Sequence, residues 1–115
     1  MPSMTSYKQG DILLVRFPFT DLSSTKQRPA VVVSGNEYNR LHLDIILAPI
    51  TTQIRHAPDE VEPASWQQAG LLKPSAVKPI LTTFDMQLVI RKLGALVEAD
   101  RTKMMTLFAQ ILDLS

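Results

Sequence analysis

The chain lacks cysteine and has little histidine, and each shortage excludes a kind of site. None of its 115 residues is cysteine, so neither a disulfide framework nor a thiolate metal site can form. The two histidines, His42 and His56, are too few and too far apart in sequence for a histidine-based metal site. We therefore expect no metal and no cofactor.

Long hydrophobic runs and an excess of one charge are also missing. No apolar run approaches the ~20 residues of a membrane-spanning helix, and residues 1–8 lack the apolar segment of a signal peptide. We expect a cytoplasmic protein that does not enter a membrane. The 12 Lys and Arg residues are balanced by 11 Asp and Glu. A protein with this balance must concentrate its positive charge locally if it is to bind RNA.

The apolar pattern predicts one domain over residues 9–115, preceded by a flexible leader at residues 1–8. Residues 12–17 are apolar and β-branched, which favours a strand. The unbroken apolar run at 29–34 is typical of a strand buried on both faces. Between these strands, residues 18–28 are polar and rich in turn formers, which predicts a long loop of the kind that often carries function.

Short strands continue along the chain, and the last segment changes to helical spacing. We expect strands at 43–48, 75–78, 80–84 and 94–97. From Asp100, a candidate N-cap, apolar residues recur at helical spacing over about 12 residues. Many short strands closed by one amphipathic helix predict a mainly β fold, a small β-barrel with a C-terminal α-helix.

Packing or exposure alone explains several conspicuous residues. Met104 and Phe108 belong to an apolar stripe that we expect either in the core or in dimer packing. Trp66, in a predicted helical turn stopped by a glycine, is expected to pack, although an exposed aromatic ring could stack on a base. Glu60 and Glu62 alternate with an apolar residue, which predicts the solvated face of a short strand.

Two polar segments are better candidates for a site. Arg28 precedes the buried run 29–34, and Thr51-Thr52-Gln53 follows the buried run 45–50. If these runs are antiparallel neighbours, both segments lie at the same end of the barrel. A guanidinium, hydroxyls and an amide would then converge, and such groups bind phosphate. An ordinary loop cation and an ordinary strand-end hydroxyl explain the same residues equally well.

The order of several motifs resembles the MazF/PemK/Kid family of toxins. Gly-Asp opens the first strand at 10–11, Arg-Pro at 28–29 leads an apolar strand, and Thr51 follows the next strand. Gly-Leu-Leu-Lys-Pro-Ser at 70–75 and Arg-Lys-Leu-Gly-Ala-Leu at 91–96 are similar to the PemK-like branch. The similarity spans residues 8–114, which is nearly the whole chain.

The resemblance implies an SH3-like barrel with a C-terminal helix and a homodimer. It also implies an endoribonuclease that cuts single-stranded mRNA in short sequence contexts without a metal, and a cognate antitoxin that inhibits it. Arg28 and Thr51 would be catalytic. The further RNA contacts that it implies are Phe17, Ser23, Ser24, Lys26, Thr52, Gln53, Arg55 and Lys78.

The sequence departs from the family where relatives carry acids. Some relatives have a Glu in the loop before the Arg, whereas this loop has no acid after Asp21. Others have Arg-x-Asp in a later strand, whereas residues 77–80 read Val-Lys-Pro-Ile. Asp21 and His56 are the remaining acid or base candidates, although an exposed loop position is the simpler explanation of His56. The alternative function is a non-catalytic SH3-like barrel that binds RNA or protein. A DNA-binding autorepressor has less support, because no helix exposes a row of basic residues.

Overall fold

The computed structural model describes residues 6–18 and 25–114, and of residues 17, 18 and 25 it describes only the backbone. Within these ranges the chain forms a six-stranded antiparallel sheet with a long C-terminal helix. The strands are β1 Asp11–Pro18, β2 Thr25–Val32, β3 Asp44–Thr51, β4 Ala76–Val77, β5 Thr82–Asp85 and β6 Val89–Ala95. The helices are α1 Asn36–Leu41 and α2 Glu98–Ile111, and a short 3-10 helix spans Met86–Leu88.

The sheet has the order β4-β3-β2-β1-β6, and β5 lies beside β4 on the same edge of β3. The backbone N–H of Lys78 donates to the carbonyl of Pro49 at 2.9 Å, which continues the pairing beyond β4. The predicted mainly β fold with a C-terminal helix is therefore confirmed. Among the described strands, β6 pairs with β1 alone, so the sheet is open and does not close into a full barrel.

The central strands are buried on both faces, as the unbroken apolar run at 29–34 predicts. On β2, Val31 belongs to one core cluster and Ala30 and Val32 to the other. This arrangement follows from the two-residue period of a strand, which sends successive side chains to opposite faces. Helix α2 covers one face, where Met104 and Phe108 are buried, so their predicted core role is confirmed. Trp66 packs against the same cluster, also as predicted.

Two expected boundaries are wrong, and each has a physical reason. Residues 18–28 do not form one long loop, because β2 begins at Thr25. Arg28 therefore lies inside a strand. Polar side chains suit an exposed strand end as well as a loop, so composition alone does not distinguish them. The last strand covers Val89–Ala95, not 94–97, because its exposed face carries polar residues that hide the pattern.

Asp100 is not the N-cap of the C-terminal helix, which begins after Val97. Asp100 lies within the first turn, is buried, and accepts hydrogen bonds from the backbone N–H groups of Ala64 (3.2 Å) and Ser65 (3.0 Å). A buried carboxylate is stable there because it receives charge-assisted hydrogen bonds. The helix thus anchors the segment that crosses its N-terminus. None of the helices within 6–18 and 25–114 is long and apolar enough to span a bilayer.

Gly70 and Gly94 allow a turn and strand β6 to touch through their backbones. A Cβ on Gly94 would lie 2.1 Å from the carbonyl oxygen of Ala69, and one on Gly70 would lie 2.3 Å from that of Leu93. Gly70 also has a φ of +92°, which other residues rarely adopt. The predicted helical turn before Gly70 is present as hydrogen-bonded turns, with the N–H of Ala69 donating to Ser65 at 3.1 Å. This contact fixes residues after Gly70 beside β6.

Candidate functional site

The Arg28 cavity is a concavity of about 370 Å³ at the end of strands β2 and β3. It joins the two polar segments that the sequence singled out. Its lining residues are Arg28, Pro29, Pro49, Ile50, Thr51, Thr52, Gln53, Lys78 and Ile80. Five of these carry the polar groups suited to an anion: one guanidinium, one ammonium, two hydroxyls and one amide. No Asp or Glu is among the described lining residues.

Strand register explains why Arg28 and Thr51 meet. Strands β2 and β3 are antiparallel neighbours, with Ala30 opposite Pro49 and Val32 opposite Leu47. Two residues further along this register, Arg28 falls opposite Thr51. Paired residues share a face of a sheet, so both side chains turn to the same side. Lys78 arrives from the other edge of β3, since β4 pairs there.

The hydroxyl oxygen of Thr51 accepts a hydrogen bond from the backbone just after β3. The backbone N–H of Gln53 donates to Oγ1 of Thr51 at 3.0 Å. A hydroxyl has one hydrogen to donate and two acceptor positions. Because the Gln53 N–H occupies an acceptor position, the hydroxyl hydrogen stays available for an acceptor in the cavity. The local turn therefore presents Thr51 as a hydrogen-bond donor.

Some predicted RNA contacts lie elsewhere. Arg55 does not line the Arg28 cavity: its backbone N–H and Nε reach the carboxylate of Glu60 at 3.3 and 3.4 Å. The Glu60 side chain is fully buried, so the prediction of a solvated strand face is wrong for this residue. His56 also lies outside the cavity, with Nδ1 2.7 Å from Glu62 and a φ of 55°. The pair of Arg55 and Glu60 thus ties the segment after Gln53 to a buried carboxylate.

Other predicted residues fall at the limit of the described structure. Lys26 is exposed on β2, two residues before Arg28, and so turns to the same face. Phe17 pairs with Lys26 through the backbone, and its side chain lies outside the described residues. Ser23, Ser24 and the acid or base candidate Asp21 also lie outside the described residues.

A second concavity of about 500 Å³ adjoins the first and shares Pro29 and Thr52 with it. We call it the Leu72 cavity. Its other lining residues are Leu14, Gly70, Leu71, Leu72, Lys73, Ser75, Arg91 and Leu93. No motif or spacing in the sequence predicted that these residues form a site. An earlier start for β6 would have placed Arg91 and Leu93 on one face of that strand and given the missing signal.

Positive charge is concentrated around the two cavities, as an RNA binder with a balanced total requires. Of the described residues, Lys73, Lys78 and Arg91 line them and form no ion pair with a carboxylate. Four other described cations pair with carboxylates, among them Lys92, which lies 3.4 Å from Asp11, and Arg40, which lies 2.6 Å from Glu37. The charge distribution thus favours an anionic ligand at this end of the sheet.

Other charged groups have structural roles away from the cavities. A hydrogen bond from Arg101 and its charge lower the pKa of Glu98 below its usual value, and the same contact raises that of Arg101. Both residues lie in the first turn of α2. Within the described part of the chain, no three His, Asp or Glu side chains come together as they would around a metal ion.

Comparison with known proteins identifies the family of this chain. Residues 8–112 match the family model described as PemK-like, MazF-like toxin of type II toxin-antitoxin system. The chain belongs to this family. A comparison with curated protein sequences gave no significant match.

Solved structures show that the fold is shared. A MazE-MazF complex from Deinococcus radiodurans is 17% identical with a TM-score of 0.81, covering 97% of this chain and 100% of that chain. An endoribonuclease in complex with its cognate antitoxin, from a mycobacterial species, is 21% identical with a TM-score of 0.79, covering 97% and 98%. The Mycobacterium tuberculosis toxin MazF-mt6 is 22% identical with a TM-score of 0.76, covering 91% and 98%.

Proposed function

We propose that this protein is an endoribonuclease toxin that cuts single-stranded mRNA in the cytoplasm without a metal, and thereby stops translation and growth. The observation that carries the proposal is the Arg28 cavity, in which Arg28, Thr51 and Lys78 converge from three strands or their ends. Its cationic and hydroxyl groups suit a phosphodiester. Membership of a toxin family supports the same conclusion.

The reaction that fits this cavity uses a nucleophile already present in RNA. The ribose 2′-oxygen forms a bond to the neighbouring phosphorus, and the bond from phosphorus to the 5′-oxygen breaks. One proton leaves the 2′-hydroxyl and one joins the 5′-oxygen, so protons balance. The products are a 2′,3′-cyclic phosphate and a 5′-hydroxyl. The protein has to align the attack and stabilise the charge on the pentacoordinate phosphorus.

The residues of the cavity divide this work by their chemistry. Arg28 supplies a planar fork of donors that matches two non-bridging phosphate oxygens. Thr51 donates its hydroxyl hydrogen, while its oxygen accepts the hydrogen bond from the backbone N–H of Gln53. Lys78 adds a second cation from the opposite side of β3. Thr52 and Gln53 extend the donor set along the bound strand. DNA is not cleaved, because it lacks the attacking 2′-hydroxyl.

We also propose a homodimer and an antitoxin partner. One solved relative is an endoribonuclease in complex with its cognate antitoxin, and another is a MazE-MazF structure. In this chain, large apolar side chains are exposed on β6 and at the end of α2, such as Ile90 and Leu112, and symmetric pairing is the commonest way to bury such surface. An acidic, extended antitoxin segment would place carboxylates where RNA phosphates bind and so exclude the substrate.

Cleavage of a long single-stranded RNA in excess chelator tests the proposal. We expect discrete fragments whose new 5′ ends are hydroxyls and whose 3′ ends are cyclic phosphates or their opened forms. End-specific labelling before and after phosphatase treatment identifies them. Cleavage that stops in chelator, or 5′-phosphate ends, contradicts the mechanism. RNA that is bound but stays intact supports the non-catalytic barrel instead.

A further inference from the structure

We propose that the Leu72 cavity is a nucleotide subsite, which holds the nucleotide next to the scissile phosphate and contributes to sequence selectivity. Its base would lie against the leucines, and its phosphate would contact Lys73 and Arg91. The proposal rests on the proposed function, because it extends the RNA strand out of the Arg28 cavity.

The two cavities are continuous along one end of the sheet. Pro29 and Thr52 line both, so a strand that leaves the Arg28 cavity passes directly over them into the second space. The row Pro29, Leu14 and Arg91 crosses β2, β1 and β6, since Leu14 pairs with Pro29 on one side and with Arg91 on the other. This row forms a floor that is apolar near the Arg28 cavity and cationic at its far end.

The opposite wall is held in place by two local features. The contact between Gly70 and Gly94 brings the chain after Gly70 against β6. The hydroxyl of Ser75, a buried residue, donates to the carbonyl of Lys73 at 2.8 Å and closes the turn. The wall is therefore fixed without a ligand. A preformed concavity of this size with apolar sides suits a planar base.

The exposure of Leu72 indicates a surface made for contact. Its side chain is 94% exposed at the rim of the cavity, so it contributes little to the core. Unstacked bases of single-stranded RNA are bound on apolar side chains and guanidinium planes. Lys73 and Arg91 carry the only charges among the described lining residues, and both are positive. This combination favours a nucleotide over a second copy of the chain, which would need an apolar or acidic complement.

The salt dependence of RNA binding tests whether Arg91 contacts a phosphate. The probe is an oligonucleotide of the mapped cleavage sequence with one 2′-deoxyribose at the cleavage position, so that it binds without being cut. Loss of one phosphate contact reduces the slope of log Kd against log salt by about 0.7 for single strands. We expect this reduction for Arg91→Gln, with Kd raised on the order of tenfold at low salt. Lys92→Gln is the matched control, because Lys92 is on the same strand but pairs with Asp11.

The variant Leu72→Ser, with Leu43→Ser as the control, tests whether the base lies against the leucines. Leu43 is 70% exposed and lies outside both cavities. We expect Leu72→Ser to raise KM about fivefold on the natural substrate and to leave kcat unchanged. An abasic site beside the cleavage position should raise KM for the wild type and have no further effect on the variant.

Three outcomes overturn the inference in distinguishable ways. If the wild type cuts RNA but Arg91→Gln and Leu72→Ser behave like their controls, the subsite is absent and the proposed function stands. If Leu72→Ser changes the mass in solution and not KM, the cavity is an interface between copies of the chain. If the wild type cuts no RNA, the proposed function fails and the subsite fails with it.

Discussion

Arg28 and Thr51 line one cavity from neighbouring antiparallel strands, two residues beyond the pair of Ala30 and Pro49. Both residues belong to regular strands, Arg28 inside β2 and Thr51 at the end of β3. A rigid pair of donors stabilises developing charge without reorganising during the reaction. The register of β2 and β3 therefore positions both side chains before a substrate binds.

Replacing Arg28 should remove most of the activity. A cation aimed at developing charge contributes on the order of 10²–10³ in rate, so we expect Arg28→Ala to lose at least this factor in kcat. Arg28→Lys should restore only part of it, since a point charge replaces a bidentate fork. Single-turnover cleavage of the mapped oligonucleotide measures both variants. Arg40→Ala is the control, because Arg40 is an exposed cation paired with Glu37 on α1; equal activity of the two Ala variants would show that Arg28 is not catalytic.

Replacing Thr51 should have a smaller effect that depends on its hydroxyl. We expect Thr51→Ala to lower kcat by roughly tenfold, about the value of one neutral hydrogen bond. Thr51→Ser keeps the hydroxyl and the acceptor for the N–H of Gln53, so it should retain most of the activity. Thr102→Ala, at an exposed position of α2, serves as the control. A Ser variant as weak as the Ala variant would argue against hydroxyl donation.

The contact between Gly70 and Gly94 should be intolerant of a side chain. A Cβ at Gly94 would meet a backbone oxygen at 2.1 Å, and backbone cannot rotate away as a side chain does. We expect Gly94→Ala to reduce the free energy of unfolding by about 3 kcal/mol. Gly35→Ala is the matched control. A Cβ added at Gly35 would meet no atom within 4 Å, and the φ of Gly35 is −72°. Urea denaturation should show a change below about 1 kcal/mol there; similar losses in both variants would mean that the close contact does not form.

The pair of Glu98 and Arg101 should give stability a weak pH dependence at low pH. The hydrogen bond from Arg101 lowers the pKa of Glu98 below its usual 4.5. A lowered carboxyl pKa stabilises the folded state above pH 4.5, and this contribution is lost as pH falls through the lowered pKa. Comparison of wild type with Glu98→Gln across this range should show a small gap that closes in acid. Added salt should narrow it, because Glu98 is exposed; a gap that widens in acid would reverse the assignment.

The sequence predicts the β-rich class, the buried central strands and the core face of α2. These follow from local apolar periodicity, which both Val31 and Met104 obey. It also predicts the meeting of Arg28 with Thr51, because one assumption of antiparallel pairing is enough to bring them together. Such features depend on neighbouring residues or on a single strand pair.

Other features depend on contacts between distant segments and could not be predicted locally. Asp100 has the composition of an N-cap, yet its carboxylate binds N–H groups 35 and 36 residues earlier. Glu60 has the pattern of an exposed strand, yet its side chain is fully buried and forms an ion pair with Arg55. The Leu72 cavity requires the approach of Gly70 to β6, and the apolar pattern of the sequence does not predict that contact.

A single 2′-deoxy substitution in the RNA shows whether the ribose 2′-hydroxyl is the attacking group. Once end mapping has located the cleavage sequence, two oligonucleotides that differ only by one 2′-hydroxyl at the cleavage position are incubated with the protein under single-turnover conditions. We expect that the all-ribose strand is cut to a 5′-hydroxyl product, while the substituted strand stays intact and competes for binding with a similar Kd. Cleavage of the substituted strand at the same bond would contradict attack by the 2′-hydroxyl, and with it the assignment of the Arg28 cavity as the site of that reaction.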